Sequence, residues 1–165
     1  MTTIEDRINA FASLGNFLDT LPEEDLQTIA ERPRLENPWF TIDNVRLALS
    51  GIISSLKKES LHQWLNDYSL STTPSKKVAV VMAGNIPLVG FHDLLCILIS
   101  GHTAIIKVSS KDSVLMKFIT SKLVELEPRF QDRIQYVERL VEFDAVIATG
   151  SDNSARYFDY YFQGQ

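Results

Sequence analysis

At 165 residues, 45% apolar and 22% charged, the chain has the size and composition of a globular protein with a substantial core. A net charge of -5 supplies no cationic surface for phosphate backbones and argues against nucleic-acid binding. A single cysteine, Cys96, excludes an internal disulfide and a cysteine-built zinc site, and it fits a reducing compartment.

Residues 1–70 read as a helical N-terminal segment. Ile4, Ile8, Phe11, Leu14 and Leu18 recur at three- and four-residue spacing and share one helical face. Pro22 followed by Glu23, Glu24 and Asp25 predicts a helix start, because acids there meet the positive end of the helix dipole. Pro33 and Pro38 bracket a predicted break. Thr41 is a predicted N-cap for a helix with Val45, Leu49, Ile52 and Leu56 on its inner face. Leu61, Trp64, Leu65 and Tyr68 form a further short stripe, and a Ser/Thr/Pro/Lys-rich connector follows at 69–77.

From residue 77 to 165 the pattern changes to alternating strand and helix. Residues 78–82 are a continuous apolar run of the kind that forms a strand covered on both faces. Pro87 predicts the start of a helix reaching Ser100, with Gly101 as its C-terminal cap. Residues 103–108 form a second predicted strand. Ser110 or Asp112 then caps a helix carrying Val114, Leu115, Phe118, Ile119 and Leu123 inward. Weaker strands follow at 134–137 and 144–148, and Thr149-Gly150-Ser151 leads into another helix. The alternation predicts an α/β fold with an open parallel sheet, whose ligands bind beyond the carboxyl ends of its strands. The longest apolar stretch, 86–99, is broken by His92 and Asp93 and is too short for a membrane span. No basic-then-apolar leader is visible, so a cytoplasmic location is expected.

Three segments fall at the predicted strand ends: Val80-Val81-Met82-Ala83-Gly84-Asn85-Ile86-Pro87, then Gly101 to Asp112 around Lys107-Val108-Ser109-Ser110, then Asp144-Ala145-Val146-Ile147-Ala148-Thr149-Gly150-Ser151. In this order they resemble the coenzyme domain of the aldehyde dehydrogenase superfamily. The likeness is strongest to its acyl-CoA reductase branch, which includes the fatty-acyl reductase of bacterial bioluminescence. It covers residues 77–162 well. It implies an open parallel Rossmann-like sheet and a reaction that reduces an acyl thioester to an aldehyde through a cysteine acyl-enzyme.

The resemblance also implies residue roles. Asn85 would donate its amide hydrogen bond to the oxyanion formed on that cysteine. Lys107, Ser109 and Ser110 would hold the adenosine end of the coenzyme, and Gly150 with Ser151 its pyrophosphate. Many NAD-using relatives carry an acid three residues after the lysine. Ser110 occupies that position here and Lys111 follows, so NADPH is expected to be favoured over NADH. The substrate would be an acyl-CoA or acyl-protein thioester.

The family's catalytic cysteine lies in a second domain after the Thr-Gly-Ser motif. Cys96, in an apolar helix, is therefore not expected to be the nucleophile, and the chain reads as a C-terminally incomplete half that is inactive alone. An unpaired sheet edge predicts self-association.

Blander readings stand beside these. Asn85 can simply cap the helix opened by Pro87, Lys107 can be a solvated lysine, and Ser151 can be an ordinary N-cap. His92 and Asp93 read as surface or interface residues, and His102 as structural. The whole chain can also be a non-catalytic nucleotide-binding or interaction module that kept the sheet and lost the chemistry.

Overall fold

The structure, a computed structural model, describes residues 2–70 and 74–149. Four helices come first: α1 (Ile4–Asp19), α2 (Glu23–Glu36), α3 (Ile42–Ser55) and α4 (Lys58–Leu65). A capping box starts α1. Thr3 Oγ1 accepts the Asp6 N–H at 3.1 Å, and the Asp6 carboxylate accepts the Thr3 N–H at 2.8 Å. These bonds, with Arg129 at 3.2 Å, hold the Asp6 carboxyl down at about 2. Thr41 caps α3 as predicted, accepting from Asn44 N–H.

Pro33 departs from the predicted break. It lies inside α2 with its ring buried, and the helix runs on to Glu36. The chain instead leaves the helix at Asn37, whose backbone is extended.

The α/β part contains β1 (Lys77–Met82), α5 (Phe91–Ile99), β2 (Thr103–Val108), α6 (Ser113–Leu126), β3 (Ile134–Tyr136) and β4 (Ala145–Ala148). All strand pairs are parallel, in the order β3-β2-β1-β4. The expected α/β fold with an open parallel, Rossmann-like sheet and a helical N-terminal segment is therefore what the chain forms. The chain moves outward from β1 through β2 to β3 and then returns to the other side of β1. This reversal creates a switch point between β1 and β4, where open α/β sheets form their ligand crevice.

Strand alternation sorts the side chains. Val78, Val80, Met82, Ala104 and Ile106 face the main core, together with Leu94, Leu98, Leu115, Ile119 and Phe130. α1 packs on α3, α4, α5 and α6, so the helical segment and the sheet share one apolar core. On the predicted inner face of α6, Leu115, Ile119 and Leu123 are buried. Val114 and Phe118 are only half-buried, Phe118 lying 6.3 Å from the Phe17 ring.

α5 ends as its sequence predicts. Gly101 takes φ +90, its N–H bonds Leu98 O at 3.0 Å, and the His102 N–H bonds Ile97 O at 3.0 Å. That is the Schellman arrangement, which favours glycine because a Cβ is strained at this φ. Buried Arg7 of α1 donates to Ile99 O at 2.8 Å, placing a cation at the negative end of α5.

The start of α5 differs from expectation. Residues 87–90 are a turn and the helix begins at Phe91. Leu88 takes φ +59 with its side chain buried, and its N–H is held by Asp112 at 2.8 Å. A left-handed residue cannot continue a right-handed helix, so Pro87 serves the turn instead.

Candidate functional site

Two loops and the end of a third strand meet at the carboxyl edge of the sheet. The loop after β1 carries Gly84 and Asn85, the loop after β2 carries Ser109, Ser110 and Lys111, and Thr149 follows β4. Parallel pairing sets this convergence, because Val81 lies level with Lys107 on one side and Ala148 on the other. Thr149 closes the β4 end by donating both its N–H and its hydroxyl to Val81 O, each at 3.3 Å.

The first two loops abut directly. A Cβ on Gly84 would stand 2.6 Å from Ser109 Cβ and 3.2 Å from Lys111 Cβ, so only glycine lets them touch. Lys107 lies on the sheet face opposite the main core and is exposed. Its ammonium has no ion pair or hydrogen bond among the described residues, which leaves three donors available there. Ser110 and Lys111 are also exposed. Ser109 is half-buried, and its hydroxyl accepts the Lys111 N–H at 3.3 Å. Gly150 and Ser151 lie outside the described residues.

Asn85 is exposed and does not cap α5, which begins six residues later with Gly90 at its N-cap. The capping alternative is thereby removed. Its turn is gripped from two remote places. Asn37 Nδ2 donates to Gly84 O at 3.1 Å, and Asp112 accepts the Leu88 N–H. Asn37 also accepts the Trp39 N–H at 3.1 Å. Beside Asn85, a mainly apolar cleft of about 280 Å³ is lined by Trp39, Leu47, Ala48, Ile86 and Pro87, with Asn44 at its side. Trp39 is 75% exposed and Leu47 72%, so both are apolar surface without cover in the chain as described.

Sequence reasoning missed these residues. Asn37 falls within the predicted break between Pro33 and Pro38, Asp112 reads as a cap, and Trp39 carries no signal of its own. No local signal tells a buried tryptophan from an exposed one.

Asp112 is 1% exposed, and its second oxygen has no partner among the described residues. Burial pushes its carboxyl up to about 7, opposed by the Leu88 N–H. Tyr136 on β3, pushed up to about 12 chiefly by its own burial, also feels this charge.

The single cysteine is placed unlike a nucleophile. Cys96 is half-buried on α5, with its sulfur 3.6 Å from His92 Nε2. Burial first, then Asp93, pushes the thiol up rather than down. At pH 7.5 Cys96 should therefore react with a thiol reagent more slowly than free cysteine, which labelling rates check. His92 lies against Trp64, their rings 6.1 Å apart, and His102 accepts the Lys76 N–H at 3.2 Å, a structural role.

A family model described as acyl-CoA reductase (LuxC) matches residues 43–159, a span that includes the four strands among the described residues and the loops after β1 and β2. The chain belongs to this acyl-CoA reductase family. Neither the curated proteins nor the solved structures give a significant match. The matched span begins at α3, so it takes in part of the helical segment as well as the sheet. Among the described residues, no helix is long and apolar enough to cross a membrane, and no cluster of ligating side chains could hold a metal ion.

Proposed function

We propose that this chain is the coenzyme-binding part, residues 77–165 with the helices of 1–70 packed on it, of an NADPH-dependent acyl-CoA reductase. The observation that carries the reading is the placement of Asn85, Lys107, Ser109, Ser110 and Thr149 at the carboxyl ends of three adjacent parallel strands, β2, β1 and β4, beside the switch point between β1 and β4.

In this reading a cysteine from outside these 165 residues attacks the thioester carbonyl, since Cys96 is the one cysteine among them. Coenzyme A leaves as a thiolate and takes up a proton. NADPH supplies the hydride that reduces the acyl-enzyme. The resulting oxyanion accepts a hydrogen bond from the Asn85 amide, then collapses to the aldehyde and releases the cysteine sulfur. An amide suits the task because it is neutral and donates from a fixed turn. The acyl chain lies along Trp39, Leu47 and Ile86, whose exposed apolar surface borders Asn85.

The residues present fit a phosphorylated coenzyme. Lys107 and Lys111 bring two exposed cations to the adenosine end, where Ser110 leaves room for a 2′-phosphate. Asp112, the nearest acid in sequence, is turned inward onto Leu88 and away from that surface. Gly150 and Ser151 take the pyrophosphate. Self-association through exposed sheet edges belongs to the same proposal; β3 and β4 are the edges of the sheet formed by the described residues.

Calorimetric titration tests the coenzyme reading. NADPH should bind tighter than NADH. Ser110→Glu should weaken NADPH about tenfold, roughly 1.4 kcal/mol, and leave NADH nearly unchanged. Equal affinity of the unaltered protein for both coenzymes would contradict the preference.

A further inference from the structure

We infer that Asn37 and Asp112 are positioning residues that fix the Asn85 amide by gripping the turn on either side of it. The inference rests on the reading of Asn85 as the oxyanion donor.

Asn85 and Ile86 are the exposed crest of a turn between β1 and α5. Within it, Ile86 O accepts Val89 N–H at 3.3 Å and Leu88 O accepts Phe91 N–H at 3.0 Å. Neither bond anchors the turn to another part of the fold. Two side chains do. One residue before Asn85, the Gly84 carbonyl accepts from Asn37 Nδ2 at 3.1 Å. Three residues after it, the Leu88 N–H donates to Asp112 Oδ2 at 2.8 Å. Both gripping residues are buried, 6% and 1% exposed, so water does not compete for these bonds.

They come from separate elements, Asn37 from the link between α2 and α3 and Asp112 from the link between β2 and α6. The turn is thus tied to the helical segment at one end and to the adenosine-end loop at the other. Asn37 does more, because its Oδ1 accepts the Trp39 N–H. One side chain therefore sets the wall of the apolar cleft and the backbone beside Asn85 together. Leu88 holds a left-handed φ of +59, which a leucine adopts only when surroundings impose it. Its bond to Asp112 and its buried side chain are those surroundings.

The test is ¹⁵N relaxation on the whole chain, in the unaltered protein and in Asn37→Ala, Asp112→Ala and Asp112→Asn. Asparagine at 112 still offers an oxygen to the Leu88 N–H. In both alanine variants the order parameters of Asn85 and Ile86 should fall from about 0.85 to below about 0.6, while the β1 and β2 amides stay ordered. Asp112→Asn should restore the unaltered values. The inference is overturned if Asn85 stays ordered in both alanine variants, or if Asp112→Asn is as mobile as Asp112→Ala.

If an alanine variant does not fold, hydrogen exchange of Leu88 in the unaltered protein decides. Exchange as slow as in β1 supports the grip, and exchange as fast as in an exposed loop overturns it. The two readings separate cleanly. Unchanged acyl-CoA reduction by Asn85→Ala, measured in an enzyme that also carries the catalytic cysteine, would remove the oxyanion role and leave the relaxation result standing. An inactive Asn85→Ala with ordered alanine variants would remove the grip alone.

Discussion

Asp112→Asn should be more stable than the unaltered protein at pH 8 and nearly equal to it at pH 4. The cause is the buried carboxyl, whose ordinary value near 3.8 is raised to about 7 in the folded chain. Below pH 4 both folded and unfolded chains carry the proton, and burial costs no charge. Between about 4 and 7 only the folded chain keeps it, so unfolding releases a proton and stability falls as pH rises. Above 7 the group is ionised in both states and the loss is complete. Each unit of difference is worth about 1.4 kcal/mol, so the full loss is on the order of 4 kcal/mol. Asparagine keeps an acceptor for Leu88 and has no proton to lose. Urea denaturation of both proteins at pH 4 and pH 8 checks this, and an equal stability gap at the two pH values would contradict it.

The second large effect concerns chemistry. On the proposed oxyanion reading, Asn85→Ala in an enzyme that also carries the catalytic cysteine should lower kcat for acyl-CoA reduction about 10²- to 10³-fold, with KM nearly unchanged, because the hydrogen bond would form only as charge develops on oxygen. Stability should change little, since Asn85 is exposed and has no hydrogen bond among the described residues. Following NADPH oxidation in the presence of an acyl-CoA measures both constants. A loss under threefold would argue that the oxyanion is held elsewhere.

What could be read from the sequence was what local chemistry decides. β2 occupies the predicted 103–108, Gly101 caps α5, and Thr41 caps α3. In each case the signal is a single run or a single residue whose own backbone preference sets the outcome. The parallel sheet followed from strand and helix alternating, and with it the strand ends where Asn85, Lys107, Ser109 and Ser110 lie.

What stayed hidden depends on distant partners. Pro87 looks like a helix opener, yet Asp112 holds the next residue in a left-handed turn from 24 positions away. Pro33 looks like a breaker, yet the tertiary packing that buries its ring keeps it inside α2. Asn37 reaches Gly84 across 47 positions. Trp39 and Leu47 border the site because the chain exposes them, and exposure is a property of the whole fold. Gly150 and Ser151, proposed for the pyrophosphate, fall outside the described residues.

The most direct test of the central claim is a ¹⁵N shift map of this chain titrated with NADPH. Saturable shifts are expected at Gly84, Asn85, Lys107, Ser109, Ser110 and Thr149, weakened by Lys107→Ala, with none at Lys77, Thr103 or Ala145 on the opposite edge of the sheet. Shifts confined to that opposite edge, or none at all at saturating NADPH, would contradict it.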